Sequence, residues 1–368
     1  MLYRKRALLL AILVLAVDSQ SSPHPQANGL RPNGSSATVT HLCVLDTSHT
    51  WLSVFAPAKS YLLRLGGSDG TWQRIPVPHA IGDFFFLNPD QGWAILADPR
   101  HAEEQAEPDL SFVLAGTEDG GSSWTRLSKV CTSNRKNSIV LTSLAFADSL
   151  NGVIVGAGSA GVPLLFETHD GGHTIRMNRE LGAIQGQGLS QVLLTSGGFL
   201  VVGNYTVLAK EAGATHWKRL LSKRDISQQF GAIMLTAGAV LSPGSFLLVG
   251  GGSKGVVLSS VDSGRTWKAV LETKSMSSLL TISAWDKNHA CAAGLSAVLV
   301  CTADGGASWT ELRSLPQSHG DRTFVDNTFE HLAILPSGSG YALDDLGYLY
   351  STHDFGRHWE GFDLSVMP

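Results

Sequence analysis

Short apolar runs that alternate with turns rich in Asp and Gly dominate the hydrophobic pattern of the chain. In Phe84–Leu96 an apolar run ends at a turn that contains Asp90, and a second apolar run follows it. Leu144–Gly156 repeats this arrangement around Asp148. Apolar runs of this length, rich in β-branched and aromatic residues, predict antiparallel pairs of β-strands joined by tight turns.

A phrase of the form Ser/Thr-x-Asp-x-Gly-x-x-Trp, called the box below, recurs after these pairs. Four copies are close to one another and lie at Thr117–Trp124, Ser260–Trp267, Thr302–Trp309 and Thr352–Trp359. A fifth copy, Thr168–Ile175, keeps the turn residues but ends in Ile. Two eroded copies lie at Gly66–Trp72 and Ala209–Trp217. Seven repeats therefore follow one another along the chain.

The last residues of consecutive boxes are 42 to 52 residues apart, a period typical of β-propeller blades. A third β-rich run precedes each box, as in Val256–Ser260, and a fourth follows it, as in Trp267–Val270. We therefore predict an all-β fold, a seven-bladed β-propeller of four-stranded antiparallel blades that covers residues 39–368.

The residue types of the box favour a structural role over a catalytic one. Asp accepts hydrogen bonds from the backbone of its own turn, Gly adopts the left-handed conformation, and Trp packs on a neighbouring strand or blade. We expect Asp304, for example, to hold buried N–H donors of its turn. The same structural role is predicted for Asp119, Asp170, Asp262, Asp304, Asp354, Trp124, Trp267, Trp309 and Trp359.

This phrase is the Asp-box, also called the bacterial neuraminidase (BNR) repeat. Together with the runs that begin at Phe86 and Phe146, it makes the sequence resemble the photosystem II stability and assembly factor family over roughly residues 39–363. The resemblance implies a non-enzymatic seven-bladed propeller that holds assembly intermediates. Asp-boxes also occur in sialidases, xyloglucanases and sorting receptors, so the resemblance is more specific for the fold than for the function.

A glycan-acting hydrolase, sialidase-like or of another glycoside hydrolase type, is the alternative on the same scaffold. Such an enzyme needs two carboxylates that face each other across a sugar, at the central end of the ring. Outside the boxes, the candidates Asp90, Asp148, Asp286 and Asp344 fall in turns that recur from blade to blade, which favours turn capping. Histidines lack metal-ligand spacing. We therefore predict no catalytic residue, no metal site and no cofactor.

The N-terminus has the pattern of a signal peptide. Basic residues at 4–6 precede an apolar run from Ala7 to Val17, and polar residues follow it; this run is too short to cross roughly 30 Å of hydrocarbon. We predict a signal peptide at 1–19, a disordered lead-in at 20–38, export to the periplasm or the medium, and no stable membrane span.

The net charge of the chain limits the classes of partner that it can bind. The chain has a net charge of -4, and loss of the predicted signal peptide would lower it to about -6, which argues against nucleic-acid binding. The connections between blades are nevertheless basic. From them we predict a binding face around the channel mouth formed by Arg135, Lys136, Arg179, Arg224 and Arg322. The alternative is that long polar loops simply carry charges.

Four cysteines occur, an even number for an exported chain. Cys291 and Cys301 lie on two predicted strands joined by a tight turn, and we predict a disulfide between them, with two buried thiols as the alternative. Cys43 and Cys131 cannot be assigned as a pair. Together, the sequence predicts a monomeric binding or assembly scaffold for a protein partner or an anionic ligand.

Overall fold

A computed structural model describes residues 38–55, 60–66, 71–100, 109–134, 136–182, 186–273, 278–312, 328–345 and 348–362. The predicted signal peptide and the lead-in up to residue 37 lie outside the described residues. Arg135 and Arg322 of the predicted binding face lie outside them as well.

Seven antiparallel sheets of four strands each make up the described chain, which confirms the seven-bladed propeller. Each blade is one continuous segment whose four strands pair in sequence order. Blade 1 comprises β1 (Thr38–Asp46), β2 (His49–Phe55), β3 (Tyr61–Gly66) and β4 (Thr71–Pro76), and blade 2 comprises β5 (Ala80–Phe86), β6 (Gly92–Arg100), β7 (Asp109–Thr117) and β8 (Thr125–Ser133). Blade 3 comprises β9 (Val140–Phe146), β10 (Gly152–Ala157), β11 (Pro163–Thr168) and β12 (Arg176–Met177), and blade 4 comprises β13 (Leu189–Thr195), β14 (Gly198–Gly203), β15 (Thr206–Glu211) and β16 (Lys218–Leu221).

Blades 5 to 7 follow the same order. Blade 5 comprises β17 (Met234–Ser242), β18 (Ser245–Gly251), β19 (Gly255–Ser260) and β20 (Lys268–Glu272). Blade 6 comprises β21 (Leu279–Ala284), β22 (Ala290–Gly294), β23 (Leu299–Thr302) and β24 (Thr310–Glu311), and blade 7 comprises β25 (Phe329–Ile334), β26 (Gly340–Asp344), β27 (Leu349–Thr352) and β28 (Glu360–Phe362). Helix α1 (Lys223–Phe230) connects blades 4 and 5, and single 3-10 turns lie at Ser159–Gly161 and Leu295–Ala297.

The ring closes by side-chain packing between blades 1 and 7. Their first strands, β1 and β25, are in contact, and Val39, Leu52 and Leu63 form one buried cluster with Leu343 and Leu349. Because every described blade takes its four strands from one segment, this closure involves no exchange of strands between the two ends of the chain.

Aromatic stacking between neighbouring blades shows why the strands are so apolar. The Trp51 ring stacks on Phe86 with centroids 4.0 Å apart, and Trp93 stacks on Phe146 at 3.8 Å. Each indole also donates a hydrogen bond to a box-turn carbonyl of the next blade, Trp51 to Gly120 (3.0 Å) and Trp93 to Gly171 (2.9 Å). These contacts pack blade 1 on blade 2 and blade 2 on blade 3, and they satisfy the two indole N–H groups.

Among the described residues, none of the helices combines the length and the apolar character needed to cross a lipid bilayer.

Candidate functional site

The up-and-down order of the strands places the connections at two ends of the ring. The turns between first and second strands and the box turns between third and fourth strands share one end, the box face. The second-to-third turns and the connections between blades share the other end, the loop face. Asp344 ends β26 and lies on the loop face, where its carboxylate accepts from the Tyr348 N–H (2.8 Å) of a second-to-third connection, whereas Asp148 lies in a first-to-second turn on the box face.

At the box face, the turn of blade 6 shows how the repeated residues are used. Thr302 Oγ1 donates to Asp304 Oδ1 (2.8 Å) and accepts from the N–H of Gly306 (2.9 Å). Asp304 accepts from the N–H (2.8 Å) and the hydroxyl (2.5 Å) of Ser308, which is exposed. The expectation that Asp304 holds the buried donor was therefore wrong, because the buried N–H of Gly306 is bonded to Thr302.

The same hydrogen-bond pattern recurs in the other well-preserved boxes, which contain Asp119, Asp170, Asp262 and Asp354. The tryptophans also bond locally. Trp267, Trp309 and Trp359 each donate to the glycine carbonyl of their own box, at 3.1, 3.2 and 2.9 Å, while Trp124 packs edge-on against Phe86 at 6.2 Å.

These bonds hold the box carboxyls in the ionised form. The Ser308 hydroxyl and then its N–H lower the pKa of Asp304 to about 2, and Thr266 does the same for Asp262. At Asp170 the N–H of Thr174 and then its hydroxyl lower the pKa to about 2. Carboxylates that are already engaged by their own turns are suited to stabilising those turns.

The central channel is shaped by an irregularity that every first strand shares. Near its start, each of these strands carries one extra residue relative to its partner strand, a β-bulge. The extra residues are Thr40, Gly82, Thr142, Ser190, Thr236, Leu280 and Glu330, and all of them line a cavity of about 310 Å³. Because first strands begin at the loop face, this cavity lies in the loop-face half of the channel.

Much of the polar lining is used to join blades. Asp83 Oδ2 accepts from the Leu144 N–H (2.9 Å), Ser143 Oγ from Val192 N–H (3.2 Å), and Gln191 Oε1 from Gly238 N–H (2.8 Å). In each case the residue after the bulge contacts the next blade. Thr142 and Thr236 also donate to carbonyls of the next blade, at 2.9 and 2.8 Å. These bonds fix neighbouring first strands to one another from blade 2 to blade 6.

The carboxyl and imidazole side chains among the described residues that line the cavity lie on three adjacent blades. Glu330 and His331 come from blade 7, His41 from blade 1 and Asp83 from blade 2; these four residues are the ionisable sector. The rings of His41 and His331 have centroids 5.7 Å apart. No Lys or Arg is present among the described residues that line the cavity.

Sequence reasoning missed this sector, because it searched for carboxylates in turns rather than in strands. A signal was present: each of these residues is a carboxyl or imidazole side chain within the first four residues of a first strand that is otherwise suited to burial. Alignment of the seven first strands would have brought His41, Asp83 and Glu330 to neighbouring positions.

Two of the predicted binding residues lie on the loop face. Lys136 is exposed in a turn where Asn134 and Asn137 exchange backbone hydrogen bonds, and the next residue, Ser138, donates to Ser159 of blade 3 (3.0 Å). Arg224 is exposed in α1. Its neighbour Lys223 places its ammonium 5.2 Å from the centre of the Tyr205 ring, a cation–π contact on the same face.

Arg179, a third predicted binding residue, does not lie beside Lys136 and Arg224. The preceding Asn178 donates its N–H to the carbonyl of Leu165 (2.8 Å), halfway along β11. The following Glu180 contacts His216 Nδ1 (2.8 Å), in the box turn of blade 4. These contacts place Arg179 at the outer edge of the ring rather than at the channel mouth. Of the five predicted cations, Lys136 and Arg224 therefore lie on the loop face, Arg179 does not lie at the channel mouth, and Arg135 and Arg322 are outside the described residues.

The cysteines fall into two classes. Cys291 and Cys301 are directly opposite one another on β22 and β23, and their sulfur atoms are bonded. Cys43 and Cys131 are free. Burial raises the pKa of both free thiols to about 12, and at Cys43 the nearby Asp83 carboxylate contributes to the rise. In the described part of the chain, no three His, Cys, Asp or Glu side chains are placed to hold a metal ion.

Comparison with known proteins shows likeness in fold. No protein-family model and no curated protein sequence matches the chain. It is similar to the structure of YCF48 bound to D1 peptide (18% identity, TM-score 0.56, covering 87% of this chain and 94% of the other). It is also similar to YCF48 from Cyanidioschyzon merolae, with 14% identity and a TM-score of 0.57 over 88% of this chain and 97% of the other. A third similar structure is a polysaccharide lyase, PL25 ulvan lyase, with 11% identity and a TM-score of 0.58 over 90% of this chain and 98% of the other. At these identities the likeness shows a shared propeller fold.

Proposed function

We propose that this chain is a non-enzymatic propeller scaffold that binds a protein partner, or another anionic ligand, through its loop face. The observation that carries the proposal is a set of exposed cations on connections of that face, Lys136, Lys223 and Arg224. Within the described part of the chain none of the three forms an ion pair, so their charge is available to an acidic partner.

The hydrogen bonds between blades along the channel wall give a second reason to propose a scaffold. Asp83, Ser143 and Gln191 accept backbone hydrogen bonds from the next blade. Side chains with this task keep the ring rigid, and a rigid ring presents the loops at fixed positions. One of the similar structures, YCF48, is bound to a D1 peptide, which is a precedent for peptide binding on this architecture.

Charge reversal tests the proposal. The double variant Lys136→Glu, Arg224→Glu should slow association with acidic peptides from a peptide array and reduce the salt dependence of binding, because exposed charges steer encounter. Arg265→Glu, Lys287→Glu is the matched control, since both residues are exposed on the box face. Equal binding by the loop-face variant and wild type would exclude the proposed surface.

Export and the monomeric state belong to the same proposal. The predicted signal peptide at 1–19 is tested by N-terminal sequencing of the protein from its native host, which should begin near residue 20. Light scattering of the purified chain should give the mass of one copy. An intact N-terminus would refute the predicted signal peptide, and a stable dimer would refute the predicted monomeric state.

A glycan-acting hydrolase is the second candidate, and one observation favours it. Asp83 and Glu330 are carboxylates on the inner strands of the ring, where a glycoside hydrolase on this scaffold would need them. A screen of glycan substrates decides between the two functions. Turnover that is lost in Glu330→Gln would favour the hydrolase, and absence of turnover by wild type would leave the scaffold.

A further inference from the structure

We propose that the pair Cys291 and Cys301 is a site of dithiol–disulfide exchange, where a reductant with two thiols opens the bridge and thereby changes the contact between blades 6 and 7. Both cysteines lie at the box-face end of blade 6, Cys291 near the start of β22 and Cys301 near the end of β23. The site is therefore separate from the loop face, and the inference goes beyond the proposed function.

The hairpin that carries the bridge has other interactions that hold it together. Strands β22 and β23 pair at four positions, and the two cysteines form only one of these pairs. Their sequence separation is 10, and a bridge that closes a short loop restricts the unfolded chain less than one that joins distant segments. Ala292 and Leu299 stay buried on the same two strands. The folded ring can therefore exist with the bridge closed or open.

The two sulfur atoms differ in their access to a reductant. Cys291 is 0% exposed, whereas Cys301 is half-buried. Cys301 lies opposite Thr310 of β24, an outer strand of only 2 residues, so little backbone covers β23 on that side. Because exchange requires a thiolate to reach one sulfur of the bridge, the attack falls on Cys301.

The exchange proceeds in two steps. A thiolate of the reductant attacks Cys301 Sγ, the bond to Cys291 breaks, and Cys291 Sγ takes up a proton. The second thiol of the reductant then attacks its own sulfur in the mixed disulfide and releases Cys301, which also takes up a proton. The chain gains two electrons and two protons, and the dithiol is oxidised to a disulfide.

Reduction changes what Cys291 can do at the junction of blades 6 and 7. Its Sγ lies 4.0 Å from the carbonyl oxygen of Phe355, in the box turn of blade 7. Trp51 and Trp93 donate an indole N–H to the same position in the box of the next blade. A disulfide sulfur has no hydrogen to donate, whereas the thiol formed by reduction is a weak donor. Opening the bridge therefore supplies a hydrogen bond between blades that the oxidised form lacks.

The acceptor of this bond belongs to a strained turn. Phe355 adopts a φ of 62°, in the left-handed region, where the boxes of Asp119, Asp170 and Asp304 have glycine. Bulky residues rarely adopt this conformation. A bond to the Phe355 carbonyl is therefore made at a turn whose stability depends on its neighbours.

A redox titration of the full chain tests whether the bridge opens in the folded protein. The chain is equilibrated in mixtures of reduced and oxidised dithiothreitol, quenched with acid and alkylated, and its peptides are analysed by mass spectrometry. Cys291 and Cys301 should convert fully and reversibly to thiols while the circular dichroism spectrum stays that of the native chain. A bridge that opens only in denaturant, or a ring that unfolds as the bridge opens, would overturn the inference.

Two variants that lack the bridge test which sulfur is attacked. Cys291→Ala leaves the half-buried thiol of Cys301, and Cys301→Ala leaves the buried thiol of Cys291. With glutathione disulfide, Cys301 should form the mixed disulfide at least about tenfold faster than Cys291, because access limits the reaction. Equal rates at the two positions would contradict the assignment of the attack to Cys301.

The same variants test the hydrogen bond to blade 7, since only Cys301→Ala keeps the donor. Hydrogen exchange in the box turn at 354–358 should be about twofold to fivefold slower in Cys301→Ala and in reduced wild type than in Cys291→Ala. The box turn of blade 3, at 170–174, is the control and should not differ. If Cys291→Ala does not fold, Cys291→Val takes its place, because valine also lacks a donor. Equal exchange at 354–358 in the two variants would refute the bond between blades.

Discussion

In the box turns, two polar side chains divide the hydrogen bonds between a buried and an exposed position. Thr302 is 4% exposed and holds the N–H of Gly306, whereas Asp304 holds exposed groups of Ser308. The sequence correctly suggests a local turn motif from Thr, Asp and Gly. It cannot show which side chain meets the buried donor, because that depends on the path of the folded turn.

This division predicts a larger effect at threonine than at aspartate. Thr302→Val should lower the free energy of unfolding by about 1–3 kcal/mol, since the buried N–H of Gly306 loses its acceptor. Thr302→Ser keeps the hydroxyl and is the control. Asp304→Ala should cost less, because water replaces the carboxylate at Ser308. Urea unfolding of the three variants checks the order, and a larger loss at Asp304→Ala would contradict it.

The box carboxyls also predict how stability depends on pH. The pKa of Asp170, Asp262 and Asp304 is about 2 in the folded protein, below the value of about 3.9 in an unfolded chain. Their contribution is complete above about pH 4 and is lost as the pH falls through about 2, because the unfolded chain binds protons first.

Thermal melting between about pH 5 and pH 2 checks this dependence. The melting temperature of wild type should fall over that range, and a variant with Asp262→Asn and Asp304→Asn should fall less steeply, because Asn does not titrate. Glu360→Gln, an exposed carboxyl outside the boxes, is the control. Parallel curves for wild type and the double variant would refute the role of these carboxyls.

At the scale of strands, the bulge of the first strand is matched by a glycine opposite it in four of the seven blades. In blades 3 to 6 the second strand places glycine there, at Gly156, Gly203, Gly250 and Gly294. A Cβ on Gly250 would lie 2.1 Å from the Met234 carbonyl oxygen. The glycine therefore allows close approach of the two backbones.

Gly250→Ala should consequently destabilise the fold by about 1–3 kcal/mol or more, because the backbone of β17 has to move. Gly197→Ala is the control, since nothing lies within 4 Å of an added Cβ at that position. Chemical denaturation measures both. Equal stability of the two variants would show that the strands can separate without cost.

The disulfide between β22 and β23 gives a further prediction for a pair of strands. Mass spectrometry of unreduced peptides should detect Cys291 linked to Cys301. Cys43 and Cys131 should react with alkylating agents at neutral pH more slowly in the folded chain than in the unfolded one, since burial raises the pKa of both thiols to about 12. Free thiols at both Cys291 and Cys301 would refute the pairing.

For the whole molecule, the repeat made the blades predictable because turn residues and apolar runs are local signals. The boxes at Thr117–Trp124 and Thr302–Trp309 indicated the blade period without any tertiary information. The closure between Val39 and Leu343 could not be predicted, because it joins distant parts of the chain. The ionisable sector left a local signal at the start of the first strands, but only the folded ring makes His41, Asp83 and Glu330 neighbours.

Hydrogen exchange with and without the best acidic peptide from the array tests the central claim, binding at the loop face. The peptide should slow exchange in residues 136–139, 204–205 and 222–230, which lie on that face, and leave the box turns at 119–123 and 304–308 unchanged. Protection confined to the box turns, or absent from all three loop-face segments, would contradict the account.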